Sequence, residues 1–207
     1  MPLKKGKLIA IEGIDGAGGS TQTNMLVAFL AAQKIGAVKL SYPDYEGIPG
    51  QAIRKYLEDR SQQWSAKTQF LLFAADMVKD LALVEDALHA GKHVIADRYY
   101  ASTIAYQCSA GFPLPAALNF GAVFGIPKPD AIIYLDIRPG TSLARKASEG
   151  LLDRHEEDTG LLRRVAAQYK SLAAASAYGK WHVLDGEASV AAVFSRVQEI
   201  TLETIRQ

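Results

Sequence analysis

The chain has 207 residues, of which 49% are hydrophobic and 22% charged, the composition of an ordinary globular domain. Its formal net charge of +1 argues against nucleic-acid binding, which needs a broad basic surface. The single cysteine, Cys108, excludes an intrachain disulfide, and no apolar stretch reaches the roughly 18 residues of a membrane span. We therefore expect one domain over residues 1–207, in a reduced cytoplasmic setting without nucleic-acid or membrane partners.

Five short apolar runs, each followed by a polar or glycine-rich turn, predict buried β-strands. They lie at residues 8–12, 37–42, 93–97, 131–136 and 181–185. Helical periodicity occurs between and after them, at residues 20–35, 67–90, 102–110, 141–147, 156–175 and 189–206. This alternation predicts an α/β fold, a doubly wound five-stranded parallel sheet with helices on both faces.

Four of the predicted strands end in an acidic residue. Ligands of such sheets bind beyond the carboxyl ends of the strands. We therefore expect these four acids to face one crevice. They are Glu12, Asp97, Asp136 and Asp185.

The first predicted strand leads into the glycine-rich stretch GIDGAGGST, residues 13–21. It follows the phosphate-binding pattern G-x-x-x-x-G-K-[ST], except that Gly19 stands at the lysine position. Backbone N–H groups of such a loop can hold phosphate oxygens, and the hydroxyl of Ser20 can reach Mg²⁺. Either another cation replaces the lysine or phosphoryl transfer is slow. The alternative is a glycine-rich turn, which the position between a strand and a helix disfavours. The predicted ATP-binding residues here are Gly13, Ile14, Asp15, Gly16, Ala17, Gly18, Gly19, Ser20 and Thr21.

Asp97 and Arg98 follow the third predicted strand directly. Asp97 occupies the place of a carboxylate that holds Mg²⁺ in phosphoryl-transfer enzymes. Arg98 can bind a phosphate through two parallel hydrogen bonds. The alternative is a structural Asp–Arg pair at the start of the next helix.

Four motifs, in consistent order, resemble those of the thymidylate kinases, which convert dTMP to dTDP. They are IEGIDGAGxSTQ at residues 11–22, LLFAAD at 71–76, DRYxxSxxAYQ at 97–107 and PKPDxxIYLD at 127–136. The resemblance extends from about residue 8 to residue 172. It implies one kinase domain with ATP and dTMP as substrates, Mg²⁺ as the metal and a homodimer as the assembly.

The resemblance also implies roles at the acceptor phosphate. Asp15 matches the acid that meets the sugar 3′-hydroxyl and the phosphate region. Arg98 matches the arginine that grips the acceptor phosphate, and Asp97 a metal-site or catalytic carboxylate. Tyr45 matches a position near this phosphate.

For the nucleoside, the resemblance implies that Phe73 stacks on the base, although packing in the core is the ordinary alternative. Ser102 and Thr103 match residues of the base pocket, and Tyr106 matches the residue that packs against C2′ of the sugar. Met77 stands where the family usually has an arginine that donates to thymine O4. Because Phe73 and Met77 are four residues apart on a helix, Met77 is expected at the base edge, where it offers no donor.

Residues 145–156, RKASEGLLDRHE, resemble the mobile lid of these kinases, and we call them the lid segment. Its cations are Arg145, Lys146 and Arg154, which could equally form a solvated surface. Members with glycine at the position of Gly16 bring a basic residue from the lid. The resemblance therefore implies that Arg145 and Lys146 bind ATP and that Arg145 is the catalytic cation.

Three functions remain open from the sequence. They are a dTMP kinase, a kinase for another deoxynucleoside monophosphate, and a nucleotide-binding homologue without activity. The four histidines, at positions 89, 93, 155 and 182, show no metal-binding spacing and are expected to be surface or packing residues.

Overall fold

A computed structural model describes residues 5–148 and 153–207 and confirms the predicted α/β fold. Five parallel strands form one sheet in the order β2-β3-β1-β4-β5. All five strands were predicted to within one residue at either end. Their bounds are β1 (Leu8–Gly13), β2 (Ala37–Ser41), β3 (His93–Asp97), β4 (Ala131–Asp136) and β5 (Trp181–Asp185).

Helices pack around this sheet. In chain order they are α1 (Gly19–Ala32), α2 (Ile48–Glu58), α3 (Ala66–Val78), α4 (Leu81–His89), α5 (Tyr100–Ser109), α6 (Leu114–Val123), α7 (Pro139–Ala147), α8 (Arg154–Glu157), α9 (Thr159–Ala174) and α10 (Val190–Arg206). Among the described residues, none of these helices is long and apolar enough to cross a membrane.

Two predicted helices differ from the structure in how they are divided or where they begin, and other helices were missed. The helix predicted at residues 67–90 is two helices, α3 and α4, separated by Lys79 and Asp80. The helix predicted at residues 156–175 begins only at Thr159, because the side chain of Asp158 accepts a hydrogen bond from the Leu161 N–H and caps a new helix, α9. Helices α2 and α6 were not predicted, since each has a proline in its first turn that resembles a loop signal.

The expectation that four strand-ending acids share a crevice is wrong. Of these four acids, all of which the structure describes, only Asp97 lies in the wall of the cavity at residues 13–21. Glu12 is buried beneath it, Asp136 pairs with Lys170, and Asp185 accepts a hydrogen bond within its own turn. The reason is that β4 and β5 continue the sheet on the side of β1 away from β3, so their ends lie apart from the β1–β3 end.

The segment between β2 and α2 is held close to α3. The backbone N–H of Asp44 donates to Asp76 Oδ2 on α3 over 2.8 Å. A β-carbon at Gly50 would lie 1.8 Å from the Asp44 carbonyl oxygen, so only glycine permits this approach. The packing fixes Tyr45 beside the end of the sheet.

Candidate active site

The predicted phosphate loop joins β1 to α1 and encloses a cavity of about 230 Å³, which we call the loop cavity. All nine residues at 13–21 line it. Gly16 and Gly18 have φ of 74° and 93°, a left-handed conformation that favours glycine. No side chain caps the first turn of α1, so its backbone N–H groups are available to an anion such as a phosphate.

Asp97 lies against this loop where the lysine is missing. A β-carbon at Gly19 would be 2.9 Å from Asp97 Oδ1. Burial raises the pKa of Asp97, while the charges of Arg98 and Lys39 oppose that shift. Asp97 and Ser20 together present a carboxylate and a hydroxyl, the hard oxygen donors that Mg²⁺ prefers.

Within residues 5–148 and 153–207, no three His, Cys, Asp or Glu side chains gather into a metal cluster. Mg²⁺ is commonly held in proteins through one or two side chains, while water and phosphate oxygens complete the coordination. Ser20 and Asp97 therefore fit a magnesium ion that arrives with a nucleotide.

An ion pair between Asp15 and Arg98 forms the wall between the loop cavity and a second cavity. Arg98 Nη2 lies 2.8 Å from Asp15 Oδ1, and Arg98 Nη1 donates to the Gly13 carbonyl over 2.7 Å. Arg98 holds this position with a φ of 62°, which is uncommon for a residue other than glycine. Such backbone strain is found mainly at functional sites.

Asp15 is held in its charged form. Burial opposes ionisation, but the charge of Arg98 and a hydrogen bond from Tyr106 outweigh it and lower the pKa of Asp15. The Tyr106 hydroxyl donates to Asp15 Oδ2 over 2.7 Å. The carboxylate is therefore fixed by partners on both oxygens.

Six of the fourteen residues that line the second cavity have aromatic rings, and we call it the aromatic cavity. Seven of the eight predicted acceptor-binding residues line it: Asp15, Tyr45, Phe73, Arg98, Ser102, Thr103 and Tyr106. They come from the phosphate loop, the end of β3, α3, α5 and the segment before α2, so the fold assembles residues that are far apart in sequence. Phe73 thus lies at the cavity wall and also packs against the small hydrophobic cluster of Ile53, Tyr56 and Leu57.

Met77 does not lie where the sequence suggested. It is 1% exposed, belongs to the main hydrophobic core and is not among the residues that line the aromatic cavity. The neighbouring Asp76 lines the cavity instead. Asp76 and Met77 lie on opposite sides of Phe73 round α3, and only the side of Asp76 faces the cavity, whereas Met77 belongs to the same core cluster as Phe70 and Ala74.

His155 was expected at the surface or in ordinary packing, and the structure places it in the aromatic cavity. It is 9% exposed, and its ring centroid lies 5.7 Å from that of Tyr106 and 6.4 Å from that of Phe73. Burial lowers the pKa of His155 to about 4, so the ring is neutral at pH 7. The sequence signal was the capping pattern from Asp153 to Glu156, which starts α8 but does not show which way His155 points.

The three cations of the lid segment lie at three different places. Lys146 lines the loop cavity, with Nζ 3.0 Å from Glu156 Oε1. Arg145 donates to the carbonyls of Gly16 and Gly186, over 3.0 and 3.2 Å, and lines a neighbouring groove. Residues 149–152 of the lid segment lie outside the described residues.

Arg154 faces away from the phosphate loop. Its guanidinium lies 4.0 Å from the Tyr56 ring centroid and donates to the carbonyls of Asp59 and Gln62. Arg154 therefore ties α8 to the segment between α2 and α3, and the structure does not bring it to the loop with Lys146.

Glu12 is a buried acid that the motif analysis did not assign to the site. It is 1% exposed, and its oxygens accept hydrogen bonds from Ser102 Oγ at 2.5 Å, Tyr169 Oη at 3.0 Å and the Tyr99 N–H at 2.9 Å. These contacts fix the start of α5, which carries the predicted base-pocket residues. Burial raises the pKa of Glu12 to about 7 despite these bonds.

Comparison with known proteins gives consistent matches. A family model described as thymidylate kinase matches residues 11–197. A thymidylate kinase of Xanthomonas campestris pv. campestris (strain 8004) is 36% identical over 202 residues, 97% of this chain and 85% of that protein. One of Arabidopsis thaliana is 30% identical over 203 residues, 98% of this chain and 73% of that protein. One of Legionella pneumophila (strain Paris) is 35% identical over 165 residues, 74% of each chain.

The raised pKa of Glu12 predicts a specific dependence of stability on pH. Between about pH 4.5 and 7 the folded protein keeps a proton on Glu12 that the unfolded chain has lost. The Glu12 contribution therefore lowers the free energy of unfolding as pH rises through this window, by on the order of 3 kcal/mol. Glu12→Gln, which keeps the shape but cannot ionise, should remove this decline.

The measurement is urea unfolding of both proteins at pH 5, 6, 7 and 8. Other titrating groups are common to the two proteins, so the difference between their curves isolates Glu12. Parallel stability curves across this range would show that Glu12 does not titrate there.

Proposed function

Because the chain belongs to the thymidylate kinase family, we propose that it transfers the γ-phosphoryl group of ATP to dTMP, giving dTDP and ADP. The observation that carries this proposal is the pair of cavities that share the Asp15–Arg98 wall. One cavity offers backbone donors for phosphates and the other offers aromatic walls for a nucleoside. Phosphates bound on the two sides would meet at the wall, as in-line transfer requires.

ATP would bind with its phosphates in the loop cavity. The uncapped N-terminus of α1 and the backbone of residues 13–21 supply N–H donors there. The groove beyond Gly16, lined by Arg145, Ala188 and Val190, would take the adenosine end. Mg²⁺ held at Ser20 and Asp97 would neutralise charge on the phosphate oxygens.

The acceptor dTMP would bind in the aromatic cavity with its phosphate toward Arg98. The guanidinium of Arg98 carries five N–H donors in a fork, and its bond to Asp15 orients that fork toward the boundary of the two cavities. The charged Asp15 can accept a hydrogen bond from the sugar 3′-hydroxyl. Tyr106, held by Asp15, would then pack against C2′ and favour deoxyribose.

Lys146 is the cation that we propose in place of the missing loop lysine. Its aliphatic stem lies over Gly16, since a β-carbon at Gly16 would be 3.4 Å from Lys146 Cγ. The Arg145 expected in this role bonds instead to the Gly16 carbonyl, so it supports the loop rather than facing its cavity. A cation at the β- and γ-phosphates stabilises charge that develops in the transition state.

A kinase for another deoxynucleoside monophosphate is the second candidate. Position 77, where the family usually has the arginine that recognises thymine O4, holds a methionine that lies in the core. A coupled assay of ADP release with dTMP, dUMP, dCMP, dAMP and dGMP tests both. The highest kcat/KM with dTMP supports the proposal, a different preferred base supports the second candidate, and no turnover identifies a non-catalytic homologue.

We also propose the homodimer and the cytoplasmic setting that the family implies. Leu71 on α3, Val123 on α6 and the adjacent Phe124 are large apolar side chains that are at least half exposed in the single chain. A second copy would cover such a surface.

Arg98→Ala should weaken dTMP binding by about tenfold to a hundredfold, the effect of losing roughly 1.5–3 kcal/mol from hydrogen bonds to a charged group. Binding of ATP should change little, because the loop backbone holds its phosphates. Calorimetric titration with each nucleotide measures both affinities, and Arg98→Lys is the matched control that keeps the charge. An equal loss for ATP and dTMP would contradict the assignment of Arg98 to the acceptor.

Lys146→Ala should lower kcat by about tenfold to a thousandfold, the range for one preorganised donor, with a smaller effect on KM for ATP. In the Gly19→Lys background, Lys146→Ala should no longer lower kcat, because the new lysine would place its ammonium group at the same phosphates. The control is Gly19→Ala, since any β-carbon at position 19 displaces the Asp97 carboxylate.

The measurement is a double-mutant cycle, in which the steady-state kinetics of Lys146→Ala are compared in the Gly19→Ala and Gly19→Lys backgrounds. The same loss of kcat in both backgrounds would show that Lys146 does not replace the loop lysine. Activity that appears only with Gly19→Lys would identify a disabled kinase.

A further inference from the structure

His155 projects into the aromatic cavity, and no role described above uses it. It lies in the first turn of α8, which a reciprocal pair of hydrogen bonds between Asp153 and Glu156 fixes. The backbone N–H of His155 itself donates to Asp153 Oδ1 over 2.8 Å. The start of the helix therefore fixes the backbone of His155, and its ring lies beside the rings of Phe73 and Tyr106.

The His155 and Phe73 rings both line the aromatic cavity and are nearly parallel. Their planes are 22° from parallel and their centroids are 6.4 Å apart. Carbon atoms in contact lie about 3.5–4 Å apart, so a flat ring stacked between two others needs a centroid separation of about 7 Å or slightly more. The observed centroid separation is slightly below that value, so a small shift of either side chain is needed for a flat ring to stack on both.

The chemistry of both walls suits a neutral flat ligand. Phe73 is apolar, and His155 is uncharged at pH 7 because burial lowers its pKa to about 4. The charges that act on His155 all pair with other groups on the protein, and they are those of Asp15, Arg154, Arg98 and Asp158. Stacking between a base and an aromatic side chain does not depend on hydrogen bonds at the base edge, which Met77 could not supply.

We propose that the pyrimidine base of the acceptor binds between Phe73 and His155, so that α8 supplies the second stacking face of the base site. This inference rests on the proposed function, since it assumes that a pyrimidine nucleotide enters the aromatic cavity. It assigns to the lid segment a contact with the base, in addition to the cation that Lys146 offers to ATP. Because stacking tolerates different bases, His155 contributes affinity for pyrimidines in general rather than for thymine alone.

The test compares three variants by calorimetry, each titrated with dTMP and with the abasic 2-deoxyribose 5-phosphate. His155→Ala removes the ring and should weaken dTMP binding about fivefold to a hundredfold, the range for loss of one stacked base contact. His155→Phe keeps a flat ring and should bind dTMP close to the wild-type affinity. His155→Gln keeps a polar side chain without a ring and should behave like His155→Ala. Affinity for the abasic phosphate should be the same in all four proteins.

Each other outcome overturns the inference. An equal loss of dTMP and abasic phosphate binding in His155→Ala would mean that His155 only maintains the shape of the cavity. Retention of dTMP by His155→Gln but not by His155→Phe would show a hydrogen bond rather than stacking. If His155→Ala binds dTMP with the wild-type affinity, His155 is not part of the base site, while the proposed function stays intact. Wild-type protein that binds no pyrimidine monophosphate would overturn both.

Discussion

The ion pair between Asp15 and Arg98 is the interaction on which the rest of the site depends. It joins the phosphate loop after β1 to the end of β3, and it divides the loop cavity from the aromatic cavity. Both side chains are largely enclosed, so removing either partner would leave a charge without its counter-ion, at a cost of several kcal/mol. Tyr106 and the Gly13 carbonyl complete the set of partners. The wall is thus held by several hydrogen bonds at the point where we propose that the two phosphates meet.

The pairing of β1 with β3 fixes the positions of Asp15 and Arg98 relative to each other. Ile11 of β1 is in register with Asp97 of β3, and the Arg98 N–H donates to the Ile11 carbonyl over 2.9 Å. Residues 83 positions apart in sequence therefore meet at the carboxyl ends of two neighbouring strands. Beneath them, Glu12 holds the start of α5 through Ser102 and the Tyr99 N–H. Loop, strand end and helix are fixed by one connected set of polar contacts.

The sequence predicts the strands well because their apolar runs are nearly continuous and each ends at a polar turn. It predicts the phosphate loop for the same reason, since that motif is local and lies next to a strand. It does not predict which side of a helix faces a cavity. A change of one position rotates a side chain by about 100°, which is why Asp76 rather than Met77 lines the aromatic cavity and Lys146 rather than Arg145 faces the loop.

The position of His155 could not be predicted from the sequence either, because it depends on contacts with segments that are distant along the chain. Its place between Phe73 and Tyr106 depends on how α8 packs against α2 and on the bonds of Arg154 to the segment that follows α2. No spacing of residues near position 155 contains that information. The helices missed at α2 and α6 have a related cause, because prolines that begin a helix and prolines in a loop look alike in a single sequence.

The central claim is that two nucleotides bind at once, one on each side of the Asp15–Arg98 wall. It is tested most directly by titrating dTMP into protein already saturated with Mg²⁺ and a non-hydrolysable ATP analogue, with heat release as the readout. The account predicts one dTMP bound per chain, with an affinity equal to or higher than in the absence of the analogue. Loss of dTMP binding in the presence of the analogue would mean that the two cavities serve a single nucleotide and would contradict the account.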